Sequence, residues 1–269
     1  MAGPLFVGAF SLAGAVRDRY DAHRHSVSSL ALGSGGWSQR ANFVLTGLLY
    51  GAGAVGLAQA PRQAVGSRAC PELVAAAALG LIGSGVFVTD PVSGYPPSTS
   101  DASVPPGRAA ALHHICGVPI FLGIPVAALL SADSFARRRE LGWGIYSAAT
   151  AAVMATTSIL ASSAFAQNPK LVASGGLLQR TAICAGFGWL KAISIRTRRA
   201  RSCASDIAHN RNKFGGILNG VDYDTWTRSR LRLPSRERLQ PIEGSGKRTA
   251  LEERQPTKPA AVAASPYRQ

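Results

Sequence analysis

The chain has 269 residues, of which 46% are hydrophobic and 16% are charged, and its mean hydropathy is +0.11. This composition excludes an intrinsically disordered or a collagen-like chain. A formal net charge of +15 would suit a nucleic-acid-binding protein, but residues 196–269 contribute more than half of it, with 16 basic and 7 acidic residues. The basicity is therefore mainly a property of the C-terminal tail. The four cysteines lie far apart without a C-x-x-C pair, so we expect free thiols rather than a zinc site or a dense disulfide framework.

Six apolar stretches follow one another in residues 1–195, and charged side chains are absent from most of them. An ionised side chain at the centre of a bilayer costs roughly 2.5–3.5 kcal/mol, so uncharged runs of about 20 residues indicate transmembrane helices. The predicted spans lie at about 2–16, 41–60, 73–89, 112–132, 143–165 and 177–195. We therefore expect an all-α fold, an integral membrane bundle of six transmembrane helices, because a soluble protein would need more polar helix faces than these runs provide.

Three of the spans carry irregularities. The first is about one helical turn short of a full crossing, and we expect its true start to lie upstream of Met1. The last contains Arg180 and Lys191, which leaves only the ten residues between them free of charge. In the fourth span, Pro119 and Pro125 each remove a backbone hydrogen-bond donor, so we expect that helix to kink.

The loops between the spans carry unequal numbers of basic residues. Six spans place residues 61–72 and 133–142 on the same side as both termini, and residues 17–40, 90–108 and 166–176 on the other side. The first side carries nine basic residues, including those just past the last span, and the second side carries six. Cytoplasmic loops of membrane proteins carry the excess of Lys and Arg, so we expect both termini in the cytoplasm.

This topology gathers polar side chains at the outward-facing ends of the helices. They are His23, His25, Ser26 and Arg40 in the first outer loop, Asp90, Ser93 and Tyr95 in the second, His113 and His114 at the start of the fourth span, and Gln167, Gln179 and Arg180 around the last span. Such residues could bind a metal ion, transfer protons or hold an anionic head group. The alternative is structural: Asp90 before Pro91 would end the third span, and the other side chains would cap helices and pair across loops.

Several separated segments carry a resemblance to a known family. These are His25 to Gly33, Trp37 to Ala41, Asn42 to Leu49, Phe87 to Pro97 and Gly175 to Arg180. Together they resemble the bacterial multi-pass family called domain of unknown function 998, over about residues 3–195. The resemblance implies a six-helix integral membrane protein with no established activity, and we expect the bundle to lie in the cytoplasmic membrane. It also implies that the family's polar motif residues correspond to His25, Ser28, Asp90, Tyr95, His113 and Gln179.

The residue positions and the resemblance together define a candidate polar pocket. It consists of His25, Ser28, Asp90, Tyr95, His113, His114, Gln179 and Arg180. The first hypothesis is that a lipid or small solute binds in this outward-facing pocket. The alternative is a membrane-embedded metal-dependent hydrolase in which Asp90 acts with His25, His113 or His114, and the third is a small-solute transporter. The motifs G-x-x-x-x-G-K-[ST], H-E-x-x-H and G-x-S-x-G are absent, so no enzyme class is favoured and no cofactor is predicted.

Beyond Ile195 the composition changes to Arg, Ser, Pro and Gly without an apolar period, which cannot form a packed core. We expect residues 196–269 to be a basic, disordered cytoplasmic tail. Its cations would be attracted to anionic membrane lipids, each being worth about 1 kcal/mol near the surface. Stacking of Tyr223 and Trp226 on a nucleic acid is an alternative, but no specific nucleic-acid partner is expected.

Overall fold

The computed structural model describes residues 2–100 and 105–209, without the side chains of residue 204 and residues 206–209. The α-helices are α1 (Ala2–Val16), α2 (Gly36–Ala58), α3 (Arg62–Val65), α4 (Cys70–Val86), α5 (Arg108–Val118), α6 (Ile124–Arg137), α7 (Leu141–Phe165) and α8 (Gly175–His209). Short 3-10 turns lie at Ser28–Ala31 and Val172–Ser174. These described ranges contain no β-strand, only an isolated bridge between Val92 and Tyr95, which confirms the predicted all-α class.

Three helical segments are long and apolar enough to cross a membrane: α2, the segment Arg108–Arg137 that contains α5 and α6, and α7. Their most apolar windows have mean hydropathies of 1.5, 2.2 and 1.4, and at most 44% of such a window is buried inside the protein. Much of their exposed surface is therefore apolar, as with Leu48 (58% exposed), Ile115 (64%) and Ile159 (70%). Helices that are apolar on their exposed faces too are typical of membrane proteins.

The lengths and compositions of the other three long helices indicate membrane spans less clearly. α1 and α4 are apolar but only 15 and 17 residues long, and α8 combines an apolar first half with a basic end. The structure thus supports a membrane protein, whereas the count of six spans stays a prediction. The four cysteines are free thiols, as predicted.

The interior of the bundle contains a cluster of aromatic rings from α1, α2 and α8. Phe6 packs its ring against Phe10, Phe43 and Phe187, with centroid distances of 5.6, 5.3 and 5.5 Å. All four side chains are buried. Each such ring pair contributes about 0.5–1.5 kcal/mol beyond its buried area. The cluster therefore holds α1 against α2 and α8.

The fourth predicted span is one helical segment with an irregular turn in its middle. A π-helical turn, Pro119–Gly123, joins α5 to α6. Proline lacks the backbone donor and its ring crowds the carbonyl group four residues earlier, and a π turn is one way in which a helix accommodates such a residue. The structure therefore places the irregularity at one of the two predicted prolines, with Pro125 following it at the start of α6.

The last helix is longer than predicted. α8 continues to His209, so the prediction that the disordered tail begins at residue 196 is wrong. Arg196 Nε donates to the Ala64 carbonyl oxygen at 3.1 Å, and the guanidinium lies 4.9 Å from the centroid of the Phe135 ring. These contacts anchor α8 beyond its apolar part, where Arg, Ala and Ser are tolerable helix formers. The rest of the predicted tail, residues 210–269, lies outside the described residues.

Hydrogen bonds tie three connections together at one end of the bundle, which we call the loop end. These connections are α1–α2 (17–35), the described parts of α4–α5 (87–107) and α7–α8 (166–174). Arg24 Nε donates to the Ser93 carbonyl oxygen at 3.1 Å, and Gln167 Nε2 donates to the Ser93 hydroxyl at 3.0 Å. At the opposite end, α3 lies against the far part of α8. Six helices that cross the bundle in alternating directions place these three connections at the same end, as expected from the sequence.

Candidate functional site

The α1–α2 connection folds over the loop end as a compact turn. Arg17 Nη1 and Nη2 donate to the carbonyl oxygens of Leu32 and Leu30, each at 3.1 Å. The Ser26 hydroxyl accepts a hydrogen bond from the Ser29 backbone amide at 3.1 Å, within the 3-10 turn Ser28–Ala31. Side chains of the connection itself therefore fix the position of this turn.

Arg180, near the start of α8, holds the same connection from the other side. Its Nη1 donates to the carbonyl oxygens of Ala22 and His25 at 2.6 and 3.0 Å, and its Nη2 donates to the Tyr20 hydroxyl. The guanidinium also lies 5.6 Å from the centroids of the Tyr20 and Phe10 rings. Hydrogen bonds from a charged donor are the stronger kind, so Arg180 is a structural clamp of the connection.

An aromatic cluster of Tyr20, His25 and Tyr95 closes the loop end. The ring centroid of Tyr95 lies 5.2 Å from that of Tyr20 and 5.0 Å from that of His25. Tyr95 is placed by a tight turn in the α4–α5 connection, where Ser93 and Gly94 have φ angles of +58° and +76°. Two consecutive positive φ angles characterise a type I′ turn, and glycine tolerates such an angle without strain. The turn thus brings Tyr95 onto the α1–α2 connection.

The protonation of this cluster follows from its burial. The Asp21 backbone amide donates to His25 Nδ1 at 2.9 Å, so this nitrogen carries no proton in the structure. Burial lowers the pKa of His25, while the nearby charge of Asp21 acts in the opposite direction. Burial likewise raises the pKa of Tyr20, against the lowering effect of the Arg180 charge and hydrogen bond. His25 is therefore held neutral more strongly than a histidine in water.

Beneath the cluster, the Ser28 hydroxyl meets the imidazole of His113, which lies on α5. His113 Nδ1 lies 2.9 Å from the Phe87 carbonyl oxygen, and Nε2 lies 3.0 Å from Ser28 Oγ. Because a carbonyl oxygen only accepts, Nδ1 must carry the proton and donate it to Phe87. In the neutral imidazole, Nε2 then holds a lone pair and accepts the proton of the Ser28 hydroxyl. His113 is 6% exposed and Ser28 is half-buried.

Ser28 and His113 both line a narrow cavity between α1, α2, α4, α5 and α8. The cavity is small, with a volume of about 30 Å³, and it opens to the outside. Its polar lining comprises Ser28, Ser84, His113 and Gln179, and the rest comprises Phe6, Val27, Phe43, Leu81, Gly117, Ile120, Phe121, Ile183 and Phe187. The lining of the cavity is therefore mostly apolar, with a few polar groups.

Gln179 lines this cavity with a side-chain amide that is held on one side. Its Oε1 accepts from the Val27 backbone amide at 2.7 Å, which fixes the orientation of the side-chain amide. Its Nε2 donates to no group in the part of the chain that the structure describes. A fixed amide with an unused donor can bind a carbonyl or hydroxyl oxygen of a ligand.

The structure brings six of the eight predicted pocket residues together at the loop end. Ser28, His113 and Gln179 line the cavity, and His25, Tyr95 and Arg180 belong to the structure that covers the loop end. Asp90 instead accepts a hydrogen bond from the Gly107 backbone amide at 2.7 Å, where it stabilises the start of α5. His114 is exposed, because adjacent residues on a helix point about 100° apart and His113 faces the interior.

The predicted metal ligands are not assembled into a site. Among the side chains that the structure describes, no group of three or more His, Cys, Asp or Glu residues is arranged to hold a metal ion. His25, Asp90, His113 and His114 are all among these side chains. The hypothesis that these four residues share a metal ion therefore lacks structural support.

Two residues of the site escaped the sequence analysis. Tyr20 supports both His25 and the Arg180 clamp, and its only signal in the sequence is an aromatic residue near the membrane surface, where such residues are common. Ser84 lines the cavity, but in the sequence it is one small residue among glycines, and nothing separates cavity lining from helix packing there.

Comparison with known proteins gives one family. A family model described as "Protein of unknown function (DUF998)" matches residues 1–196, which is most of the chain. No curated protein and no solved structure matches.

Proposed function

The chain belongs to the DUF998 family of proteins of unknown function, and we propose that it is a six-span protein that binds a lipid or small solute. The ligand enters the cavity at the loop end, which faces out of the cytoplasm, with both termini inside the cell. The observation that carries the proposal is the lining of this cavity. Apolar rings form much of its walls, the Ser28 oxygen offers an acceptor and Gln179 Nε2 offers a donor. A ligand with an apolar chain and one polar group satisfies both parts.

The glycine at position 117 allows a direct test of binding. It lines the cavity, and a Cβ added there would contact only the Phe121 ring, at 3.9 Å. In a Gly117→Leu variant the Cβ atom therefore overlaps with no neighbouring atom, and the rest of the leucine side chain fills the cavity. The matched control is Gly53→Leu, because a Cβ at Gly53 would meet nothing within 4 Å and the residue lies on the exposed face of α2.

Purified wild-type protein and both variants are extracted, and the lipid bound per protein is measured by mass spectrometry. We expect lipid in the wild type and in Gly53→Leu, and about tenfold less in Gly117→Leu, which corresponds to about 1.4 kcal/mol of binding free energy. Equal lipid content in all three proteins would contradict binding in this cavity.

The orientation is proposed from the excess of basic residues on the side of the termini. Single cysteines introduced by Lys170→Cys at the loop end and Arg68→Cys at the opposite end test it, because both positions are exposed. The background lacks the four natural cysteines. An impermeant maleimide added to intact cells is expected to label the Lys170→Cys protein alone. Labelling of the Arg68→Cys protein alone would reverse the orientation and make the cavity face the cytoplasm.

A further inference from the structure

The geometry points to Ser28 as a nucleophile and to His113 as its general base, for cleavage of an ester whose acyl chain enters the cavity. This inference rests on the proposed function, because the ester has to bind where the lipid is proposed to bind. Serine beside a base that a third group orients is the usual arrangement for covalent catalysis by a hydroxyl group. Here the Phe87 carbonyl is the orienting group.

The direction of the Ser28–His113 hydrogen bond suits proton abstraction. A general base must lie about 2.6–3.2 Å from the atom whose proton it takes, and Nε2 lies 3.0 Å from Ser28 Oγ. The bond from Nδ1 to Phe87 keeps the lone pair on Nε2 and holds the ring in place. The hydroxyl therefore already donates to the group that would remove its proton.

Other hydrogen bonds also anchor the connection that carries Ser28. Arg17 fixes the carbonyl groups of Leu30 and Leu32, and Gln179 fixes the backbone amide of Val27, next to Ser28 in the chain. Ser28 also remains half-buried and reaches the cavity, so a ligand in the cavity can contact its hydroxyl.

Gln179 supplies the hydrogen-bond donor that acyl transfer also requires. Negative charge develops on the carbonyl oxygen of the ester when the hydroxyl attacks, and a fixed donor near that oxygen lowers the barrier. The unused Nε2 of Gln179 is such a donor in the cavity, on a side chain that Val27 holds beside Ser28.

The reaction proceeds in two steps, the acylation of Ser28 and the hydrolysis of the acyl-Ser28. Ser28 Oγ forms a bond to the ester carbonyl carbon while its proton passes to His113 Nε2. The bond from that carbon to the alcohol oxygen then breaks, and the leaving alcohol takes the proton from Nε2, which leaves an acyl-Ser28. The oxygen of a water molecule then forms a bond to the acyl carbon, and the water gives one proton to Nε2. The bond from that carbon to Ser28 Oγ breaks, Oγ takes the proton from Nε2, and a carboxylic acid is released. One ester and one water thus give one acid and one alcohol.

An alkyl fluorophosphonate tests the nucleophile directly, because it phosphonylates an activated serine and releases fluoride. The full-length protein in detergent is treated with this probe, and the adduct is located by intact mass and peptide mapping. We expect one adduct, on Ser28, that is absent from Ser28→Ala and forms at least about 100-fold more slowly in His113→Asn. Ser162→Ala, which removes an exposed hydroxyl of α7 outside the cavity lining, is the control and is expected to react like the wild type.

The same preparations are assayed for bound lipid, for thermal unfolding and for hydrolysis of a long-chain para-nitrophenyl ester. We expect hydrolysis by the wild type and by Ser162→Ala, and none by Ser28→Ala that still unfolds cooperatively. If the wild-type protein binds lipid but gives no adduct on Ser28, the inference is overturned and the proposed function stays intact. Equal rates of adduct formation in the wild type and in His113→Asn would have the same consequence. A wild-type protein that binds no lipid would contradict the proposed function itself.

Discussion

Arg180 on α8 donates a hydrogen bond to the hydroxyl of Tyr20, although 160 positions separate the two residues, and its guanidinium lies 5.6 Å from the centre of the same ring. The same guanidinium binds the carbonyl oxygens of Ala22 and His25. The first turns of α8 therefore determine where the α1–α2 connection lies, and this connection carries Ser28 to the cavity.

Replacement of Arg180 is expected to loosen this connection. Arg180→Met keeps the apolar stem but removes the donors to Ala22, His25 and Tyr20, and it should cost about 2–4 kcal/mol of unfolding free energy, because hydrogen bonds from charged groups are worth about 1.5–3 kcal/mol each. Amide hydrogen exchange in residues 20–30 should accelerate in the variant. Thr181→Val, at an exposed neighbouring position, is the control. Unchanged exchange in Arg180→Met would show that the clamp is dispensable.

The stability of the loop end is expected to fall in mild acid because of His25. Burial lowers the pKa of His25 in the folded protein below the ordinary value of 6.5, so at acidic pH the unfolded chain binds this proton more tightly than the folded one. The contribution of neutral His25 to the free energy of unfolding is complete above pH 6.5 and is lost as the pH falls through the folded-state pKa. The midpoint of thermal unfolding, measured from about pH 7.5 to 5, checks this expectation.

The control for that titration is His25→Asn. The asparagine oxygen can accept the hydrogen bond of the Asp21 amide, but it does not titrate in this range. We expect a smaller loss of the unfolding midpoint below pH 6.5 in this variant than in the wild type. Parallel curves for the two proteins would show that other groups cause the acid sensitivity.

Local sequence patterns predict much of the fold, because charges are excluded from membrane-length runs. They place α1 at its observed bounds and locate the other five long helices. They do not predict the extension of α8, which depends on the bond between Arg196 and Ala64, 132 positions apart. A composition rich in Arg and Ser resembles a disordered tail unless such a distant partner is known.

The sequence predicts which residues belong to the site, but it does not predict how they contact one another. The resemblance supplies Ser28 and His113, but the bond between them joins positions 85 apart and becomes visible only when the helices are packed. The same packing removes Asp90 from the cavity, because its carboxylate binds the Gly107 amide at the start of α5. Helix geometry alone could have separated His113 from His114, since adjacent helical residues face different directions.

At the end opposite the cavity, Arg196 is expected to contribute substantially to stability. Its guanidinium binds the carbonyl oxygens of Ala64 and Gln63, pairs with Glu140 and stacks on Phe135. Arg196→Gln should cost about 2–4 kcal/mol, because these partly buried acceptors lose a charged donor.

The matched control for this arginine is Arg137→Gln, which removes an ion pair with Asp133 that is exposed on both sides. Exposed pairs contribute little to stability, so no measurable shift of the unfolding midpoint is expected there. Equal shifts in the Arg137 and Arg196 variants, measured by thermal unfolding in detergent, would contradict the assignment of Arg196 as an anchor of α8.

The contact between α4 and α5 is expected to tolerate no side chain at position 80. A Cβ on Gly80 would lie 2.3 Å from the Cys116 carbonyl oxygen and 2.8 Å from the Pro119 ring, so the helices would have to separate. Overpacking of this kind costs about 1–3 kcal/mol, which exceeds the gain of up to about 1 kcal/mol in helix propensity from Gly80→Ala. Gly53→Ala gains the same propensity where nothing lies within 4 Å, so its unfolding midpoint should stay constant or rise. If Gly80→Ala also raised the midpoint, the two helices would be less closely packed than the structure shows.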